Sequence, residues 1–313
     1  MFPAQQTLQF GPHFDVAVQS CVGADPRTQL ENQDNFLLID TTGWAHFMQH
    51  QRRQSRRIPN WIPGHARLAV LDGMGGHGRG REAAEAVVEG LCALPPCDTL
   101  DELSRHLDLL HAALQRQFHS DEPSKRPGTT LTMLELRHDQ APLLYHVGDS
   151  RLYQVKGGQA QPMTVDHVPA TAFAMAGLLQ EHEWWRQVHG EHRSQISQAF
   201  ILGNAFSDAK ELHDPLYPLS ANNLPAFLSH LPDRRAIELD PQAVYVLATD
   251  GFWACSNPFD LIDRWPSLLA SQSDAAGMTA ALFEEMLTRP PPNFHIDNLT
   301  AIVLRPLGAD RHA

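Results

Sequence analysis

The amino-acid sequence predicts an α+β fold made mainly of antiparallel sheet. Two observations carry this expectation. Segments of period-two alternation and segments of helical spacing come in blocks, without the strict β-α-β-α succession of a parallel sheet. The two strongest helical patterns, over 82–94 and 100–118, follow each other directly, with strand patterns before and after them. Sheets with helices on their outer sides fit this arrangement. The order of strands within the sheets is not readable from the pattern.

Residues 14–22 alternate apolar and polar side chains and predict a first strand. Phe36 to Ile39 predicts a second, and Leu68 to Leu71 a third that ends at Asp72. Glu82 to Leu94 has helical spacing and stops before Pro95-Pro96, which cannot continue a helix. Leu100 to Phe118 predicts a second helix, with Leu103, Leu107, Leu110 and Leu114 on one face. Thr129 to Leu136 alternates as a strand. Pro142 to Val147 and Leu152 to Val155 flank Gly148-Asp149 like the arms of a hairpin. Ala170 to Leu179 predicts a helix. Val244 to Ala248 is an apolar strand leading to Asp250. Residues 259–270 and 275–288 predict two helices, and Thr300 to Leu304 closes the chain with a strand. Three segments stand apart: 40–66, with Arg52, Arg53, Arg56 and Arg57 beside Trp44 and Trp61; the His- and Trp-rich stretch that follows the helix within 168–196; and 204–240, rich in Asn, Pro and Leu. The expectation is one domain over 1–313, with insertions at 40–66 and 204–240.

The chain has 313 residues, long enough for a large core. Apolar and charged fractions of 42% and 19% are those of a soluble globular protein. The net charge of −12 argues against a non-specific nucleic-acid binder, which carries a basic excess. Cys21, Cys92, Cys97 and Cys255 show no C-x-x-C spacing and predict reduced, mostly buried thiols in a cytosolic protein. No basic segment followed by an apolar run opens the chain, and no run approaches the ~18 apolar residues of a membrane span. A cytoplasmic protein without membrane attachment is expected.

Five short motifs place an aspartate at the edge of a strand-like run: Asn32-Gln33-Asp34, Asp72-Gly73-Met74-Gly75-Gly76-His77, Gly148-Asp149-Ser150-Arg151, Thr249-Asp250-Gly251 and Asp297-Asn298-Leu299-Thr300. One such carboxylate is an ordinary surface residue. Five spread over the chain, with Gly or Asn beside them, suggest a shared site for hard divalent cations, which oxygen ligands suit.

In kind and order these motifs resemble the metal-dependent protein phosphatases, the PPM or type 2C family, of the bacterial serine/threonine type. Gly128-Thr129-Thr130, Val147-Gly148-Asp149-Ser150-Arg151, Thr164-Val165-Asp166-His167, Ala176-Gly177-Leu178-Leu179 and the Ile196–Gly203 segment add to the match, which covers nearly the whole chain. The resemblance implies a four-layer α-β-β-α sandwich of two antiparallel sheets. It implies two Mn²⁺ or Mg²⁺ ions, with a weaker third, and hydrolysis of phosphoserine and phosphothreonine on proteins by a metal-activated water. The protein would oppose a serine/threonine kinase.

By the same resemblance Asp72 would bridge the two ions and the Gly73 carbonyl would bind one. Asp250 and Asp297 would complete the first ion's shell, Asp34 would support the second, and Asp149 would bind a third ion with Asp250. Asp72 and Asp250 are thus the expected catalytic pair, and Asn298 would tune the site from behind. The chain departs from the family in three places. Gln33 stands where a glutamate is frequent. Gln29 occupies the place of the phosphate-binding arginine, leaving Arg27, two residues earlier, to reach the phosphate with its guanidinium fork. Met74 follows Asp72-Gly73 where eukaryotic members carry a histidine acid, and His77 reads better as a turn residue.

Other readings fit less well. Gly73-Met74-Gly75-Gly76-His77-Gly78 also spells G-x-G-x-x-G, but Asp72 would repel a pyrophosphate and the acidic residue ~20 positions on is missing. His182-Glu183-Trp184-Trp185-Arg186 starts like H-E-x-x-H and ends in Arg, so the zinc pair is broken. Trp184 and Trp185 could be core residues or a substrate platform. The arginines of 40–66 and the 168–196 flap could shape substrate choice. A phosphatase of another phosphorylated target is the rival among enzymes. A regulatory binding protein with weak catalysis is the rival outside them.

Overall fold

The computed structural model describes residues 7–23, 31–75, 79–120, 122, 126–206, 215–295 and 297–307. In chain order the strands are β1 (Phe14–Cys21), β2 (Asn35–Ile39), β3 (Trp44–Gln49), β4 (Arg52–Arg57), β5 (Ala66–Leu71), β6 (Gly73–Met74), β7 (Gly128–Thr129), β8 (Leu131–Arg137), β9 (Gln140–Val147), β10 (Arg151–Lys156), β11 (Gln159–Pro162), β12 (Gln198–Ala199), β13 (Gly203–Asn204), β14 (Arg234–Ala236), β15 (Val244–Ala248) and β16 (Leu299–Pro306). The helices are α1 (Arg79–Ala93), α2 (Leu100–Gln117), α3 (Pro169–Met175), α4 (Glu181–His189), α5 (Pro258–Ile262), α6 (Trp265–Ala270) and α7 (Ala275–Thr288). A seven-stranded sheet runs β14-β9-β8-β5-β2-β3-β4 and a five-stranded sheet runs β1-β16-β15-β10-β11, with antiparallel pairing throughout both.

Alternation along the strands builds the layers. Phe36 and Leu38 of β2 face Leu247 of β15 and Ile302 of β16, making the core between the sheets. Leu37 and Ile39 point the other way, against Val87 and Leu91 of α1 and Leu103 and Leu107 of α2. Val246 and Ala248 likewise turn outward, onto Trp265 of α6 and Leu282 of α7. Because successive side chains of a strand alternate faces, the apolar runs 36–39 of β2 and 245–248 of β15 are buried on both sides. The result is four layers, helix-sheet-sheet-helix. A fourth cluster joins Trp184 and Val188 of α4 to Leu219, Leu224 and Leu228, and forms the flap's own core.

Several local expectations change. The arms around Gly148-Asp149 are not a hairpin: β9 belongs to the seven-stranded sheet and β10 to the five-stranded one. The chain crosses between sheets at this turn, helped by Gly148 at φ +111°. The 40–66 segment is ordered as the β3–β4 hairpin, and its arginines lie on an edge strand. The helix expected over 259–270 is two short helices, α5 and α6, because Pro266 has no N–H to give the Ile262 carbonyl. Part of 204–240 is strand β14, which extends the seven-stranded sheet.

Candidate metal centre

The sheet registers bring the aspartates to one edge of the sandwich. Asn35 pairs with Leu71, so Asp34 and Asp72 follow as the next positions at the same end of the seven-stranded sheet. Ala248 pairs with Ala301 and Cys21 with Leu299, which sets Asp250 and Asp297 at the corresponding end of the five-stranded sheet. Two hydrogen bonds tie the ends together. Thr249 Oγ1 donates to Asp34 Oδ2 at 2.7 Å, and the Gln33 N–H donates to Asn298 Oδ1 at 2.8 Å. Asn298 also donates its own N–H to Asp297 Oδ1 at 2.8 Å. Asp72 is held from behind: its N–H donates to Thr130 Oγ1, its carbonyl accepts the Thr130 N–H, and Thr130 Oγ1 is 2.7 Å from Ser150 Oγ. The G-T-T and G-D-S motifs thus act as a frame for Asp72.

Asp34, Asp149 and Asp250 are buried, and Asp72 and Asp297 half-buried. Burial, first, and then the charges of Asp250, Asp34 and Asp297 hold the Asp72 carboxyl well above the usual range. Asp34 is raised the same way, by burial and then by Asp297 and Asp250, against the Thr249 hydrogen bond. Burial with the Asp250 and Asp166 charges takes Asp149 up to about 8. Burial and like charge disfavour the ionised form of such carboxyls, and a bound cation would favour it. Every donor at the edge is oxygen, as Mg²⁺ and Mn²⁺ require. A side chain at Gly73 would collide with the Gln33 and Gly80 carbonyls, so this backbone is cradled where only glycine fits. These features fit hard cations. Among the described residues, no three of these carboxylates gather all within 4.8 Å of one another.

Asp149 stands beside a cavity of about 130 Å³ under the flap, lined also by Arg151, Asp166, Phe173, His192 and Trp253. Arg151 is the buried hub here. It is bidentate to Asp166, donates to the Val188 carbonyl of α4 at 2.8 Å and lies 4.5 Å from the centre of the Trp253 ring. His192 was not expected at the site. Its Nε2 lies 3.3 Å from Asp250 Oδ2, and its N–H donates to the Cys255 carbonyl. Burial pushes Asp250 up, and contact with His192 outweighs this and leaves it below the usual carboxylate range. Nothing in the local sequence marks His192, since a histidine in an irregular segment carries no pattern. Trp184 is a core residue: it is buried, and its indole N–H donates to Thr171 Oγ1. Trp185 stays 40% exposed and stacks on His189, 4.2 Å away. Arg27 and His77 lie outside the described residues.

Residues 39–285 match the family described as protein phosphatase 2C. The chain belongs to the protein phosphatase 2C family. It is 31% identical over 127 residues to protein phosphatase PhpP of Streptococcus pneumoniae, covering 38% of this chain and 51% of PhpP. It is 33% identical over 103 residues to the serine/threonine protein phosphatase PstP of Mycobacterium tuberculosis, covering 32% and 20%. The chain thus spans about half the length of PhpP and about a fifth of PstP. The crystal structure of the Mycobacterium tuberculosis phosphatase PstP/Ppp superposes with a TM-score of 0.62 at 20% identity, over 95% of this chain and 100% of that one. A PstP catalytic domain in complex with two manganese ions gives 0.60 at 21%, over 95% and 99%. At these identities the structures speak for the fold, and the 2C-type sandwich agrees with the layers described above.

Proposed function

We propose that this chain, read as a single domain, is a protein phosphatase that hydrolyses phosphoserine and phosphothreonine at a centre of two Mn²⁺ or Mg²⁺ ions. The observation that carries the reading is the convergence of four aspartates from two different sheets on one sandwich edge, where burial and mutual repulsion raise the carboxyls of Asp34 and Asp72. Asp72 would hold both ions and the Gly73 carbonyl one of them, with Asp250 and Asp297 on the first ion and Asp34 on the second. Asp149 and Asp250 would hold a weaker third. When bound, the ions supply an activated water and neutralise charge on the phosphoryl group.

The chain's own residues position these groups. Asn298 and Thr249 orient Asp297 and Asp34 and lock one sheet end to the other. His192 holds Asp250 from the flap side, and Arg151 fixes the flap beside the site. Phosphorylated proteins are the substrates this reading requires, and a serine/threonine kinase would set their phosphorylation. All four cysteines are free thiols, three of them buried, which suits a reducing cytoplasm. Among the described residues no helix is long and apolar enough to cross a membrane.

The test is turnover of p-nitrophenyl phosphate and of a phosphothreonine peptide with Mn²⁺, with Mg²⁺ and with excess EDTA. Metal-dependent turnover of both, lost in EDTA and in Asp250→Asn, supports the proposal. A Mn²⁺-dependent rise in melting temperature without turnover would replace it with a binding protein on the same fold.

A further inference from the structure

Among the described residues, one set of three potential metal ligands brings its ligating atoms all within 4.8 Å of one another, and it lies away from the acidic edge. It consists of Cys97, Glu102 and His106, at the junction of α1 and α2. Cys97 Sγ is 3.5 Å from His106 Nδ1. Glu102 and His106 are four residues apart on α2, so they share a face one turn apart. Both are half-buried, whereas Cys97 is fully buried.

The loop that presents the thiol is fixed from behind. Pro95-Pro96 stops α1. The buried Arg67 guanidinium donates to the carbonyls of Leu91 and Pro95 and is bidentate to Glu135, which in turn accepts the Cys97 N–H at 3.2 Å. On the other side Thr99 caps α2 by accepting the Glu102 N–H. Glu102 Oε2 accepts the Asp98 N–H at 3.2 Å, which orients its carboxylate. Two of the three ligands, Cys97 and Glu102, are therefore held by partners of their own, which favours a preorganised site.

We propose that Cys97, Glu102 and His106 bind one thiophilic divalent cation, Zn²⁺ in particular, with water or the adjacent Asp98 carboxylate as fourth ligand. One sulfur, one imidazole nitrogen and one carboxylate oxygen form a donor set that zinc accepts. Mg²⁺ and Mn²⁺ prefer oxygen, so this site and the acidic edge select different ions. Burial takes the Cys97 thiol up to about 12, with the Glu135 charge adding to it. At neutral pH the thiol therefore holds its proton until an ion with strong thiolate affinity displaces it. On binding, the thiol proton leaves to solvent, the sulfur–metal bond forms, and His106 gives its Nδ1 lone pair. Nothing is oxidised or reduced. The bound ion would staple the end of α1 to the start of α2.

The test uses the full chain with Co²⁺ as a spectroscopic stand-in for Zn²⁺, in excess Mg²⁺ to occupy the acidic edge. A near-ultraviolet thiolate-to-cobalt charge-transfer band is expected. It should vanish in Cys97→Ser and persist in Asp72→Asn. In His106→Gln, a half-exposed position where folding should survive, Zn²⁺ affinity measured by equilibrium dialysis should fall by at least about tenfold, with Mn²⁺-dependent turnover unchanged. No band in the wild type would overturn the proposal, as would an equal band in Cys97→Ser or unchanged Zn²⁺ affinity in His106→Gln.

Discussion

Asp72 and Asp250 sit in a crowd of like charges, and each is held by a different device. Asp72 is framed by Thr130 through both backbone groups, and Asp250 is matched by His192. We predict that Asp72→Asn and Asp250→Asn each remove nearly all turnover, a larger loss than the ~10–100-fold typical of an outer partner. The fold should persist, because a neutral amide relieves repulsion rather than creating it. Circular dichroism beside the phosphatase assay would check this, and near-normal turnover in either variant would refute the metal assignment. A second residue-scale prediction concerns acid stability. Burial drives the His146 pKa down to about 3, although Thr132 and the Val165 carbonyl hydrogen-bond its ring. Below the ordinary histidine value of ~6.5 the unfolded chain takes up a proton that the folded chain refuses. Stability is therefore intact above that value and falls as pH drops toward 3, by on the order of 5 kcal/mol from this group alone. His146→Gln should move the acid-unfolding midpoint to lower pH, and an unmoved midpoint would contradict the sign. The aspartates were legible in sequence because each carries a Gly or Asn neighbour at a strand end. His146, His192 and Thr249 were not, since their roles come from what the fold places opposite them.

At the scale of elements, β4 shows how a sequence feature gains a second meaning. Its run Arg52-Arg53-Gln54-Ser55-Arg56-Arg57 forms the outer edge of the seven-stranded sheet. Arg56 pairs with Glu89 of α1 at 2.7 Å and Arg53 lies over the Phe36 ring. Charge on an edge strand repels a second strand from its open hydrogen bonds. Replacing all four arginines by Ala should promote self-association on size-exclusion chromatography while sparing turnover of an aryl phosphate. Weaker turnover of a phosphoprotein alone would add a role in substrate choice. The Arg67–Glu135 pair joins α1, β5 and β8 with both side chains fully buried. Leaving one partner alone in the core should be costly: Glu135→Gln is expected to lower unfolding stability by about 3–5 kcal/mol, measured by urea denaturation, and a loss under about 1 kcal/mol would mean that the loop carbonyls satisfy Arg67 alone. The ranges of α2 and α7 were read to within one residue from the sequence, while α1 starts at Arg79, three residues before its apolar spacing begins at Glu82. The β9–β10 crossing could not be read, because a Gly-Asp turn looks the same whether its arms pair or part.

For the whole molecule, the block order of strand and helix patterns signalled antiparallel sheets with helices on their outer sides, and the family resemblance implied two such sheets face to face. That much was visible in the chain. Which sheet each strand joined was not, because pairing partners lie far apart in sequence: β1 finds β16 across nearly the whole chain. The acidic edge draws Asp34 and Asp72 from one sheet and Asp250 and Asp297 from the other. Its jaws are the two sheets, and its gap is set by the apolar filling between them. Ion affinity then works as a caliper on that filling. We predict that Leu247→Phe, which wedges extra volume beside Phe36 and Ile302 between the sheets, weakens Mn²⁺ binding measured calorimetrically more than an equally destabilising change in the outer helices, such as Leu282→Ala. On this reading the grip on a cation and the thickness of the interior would be one mechanical quantity.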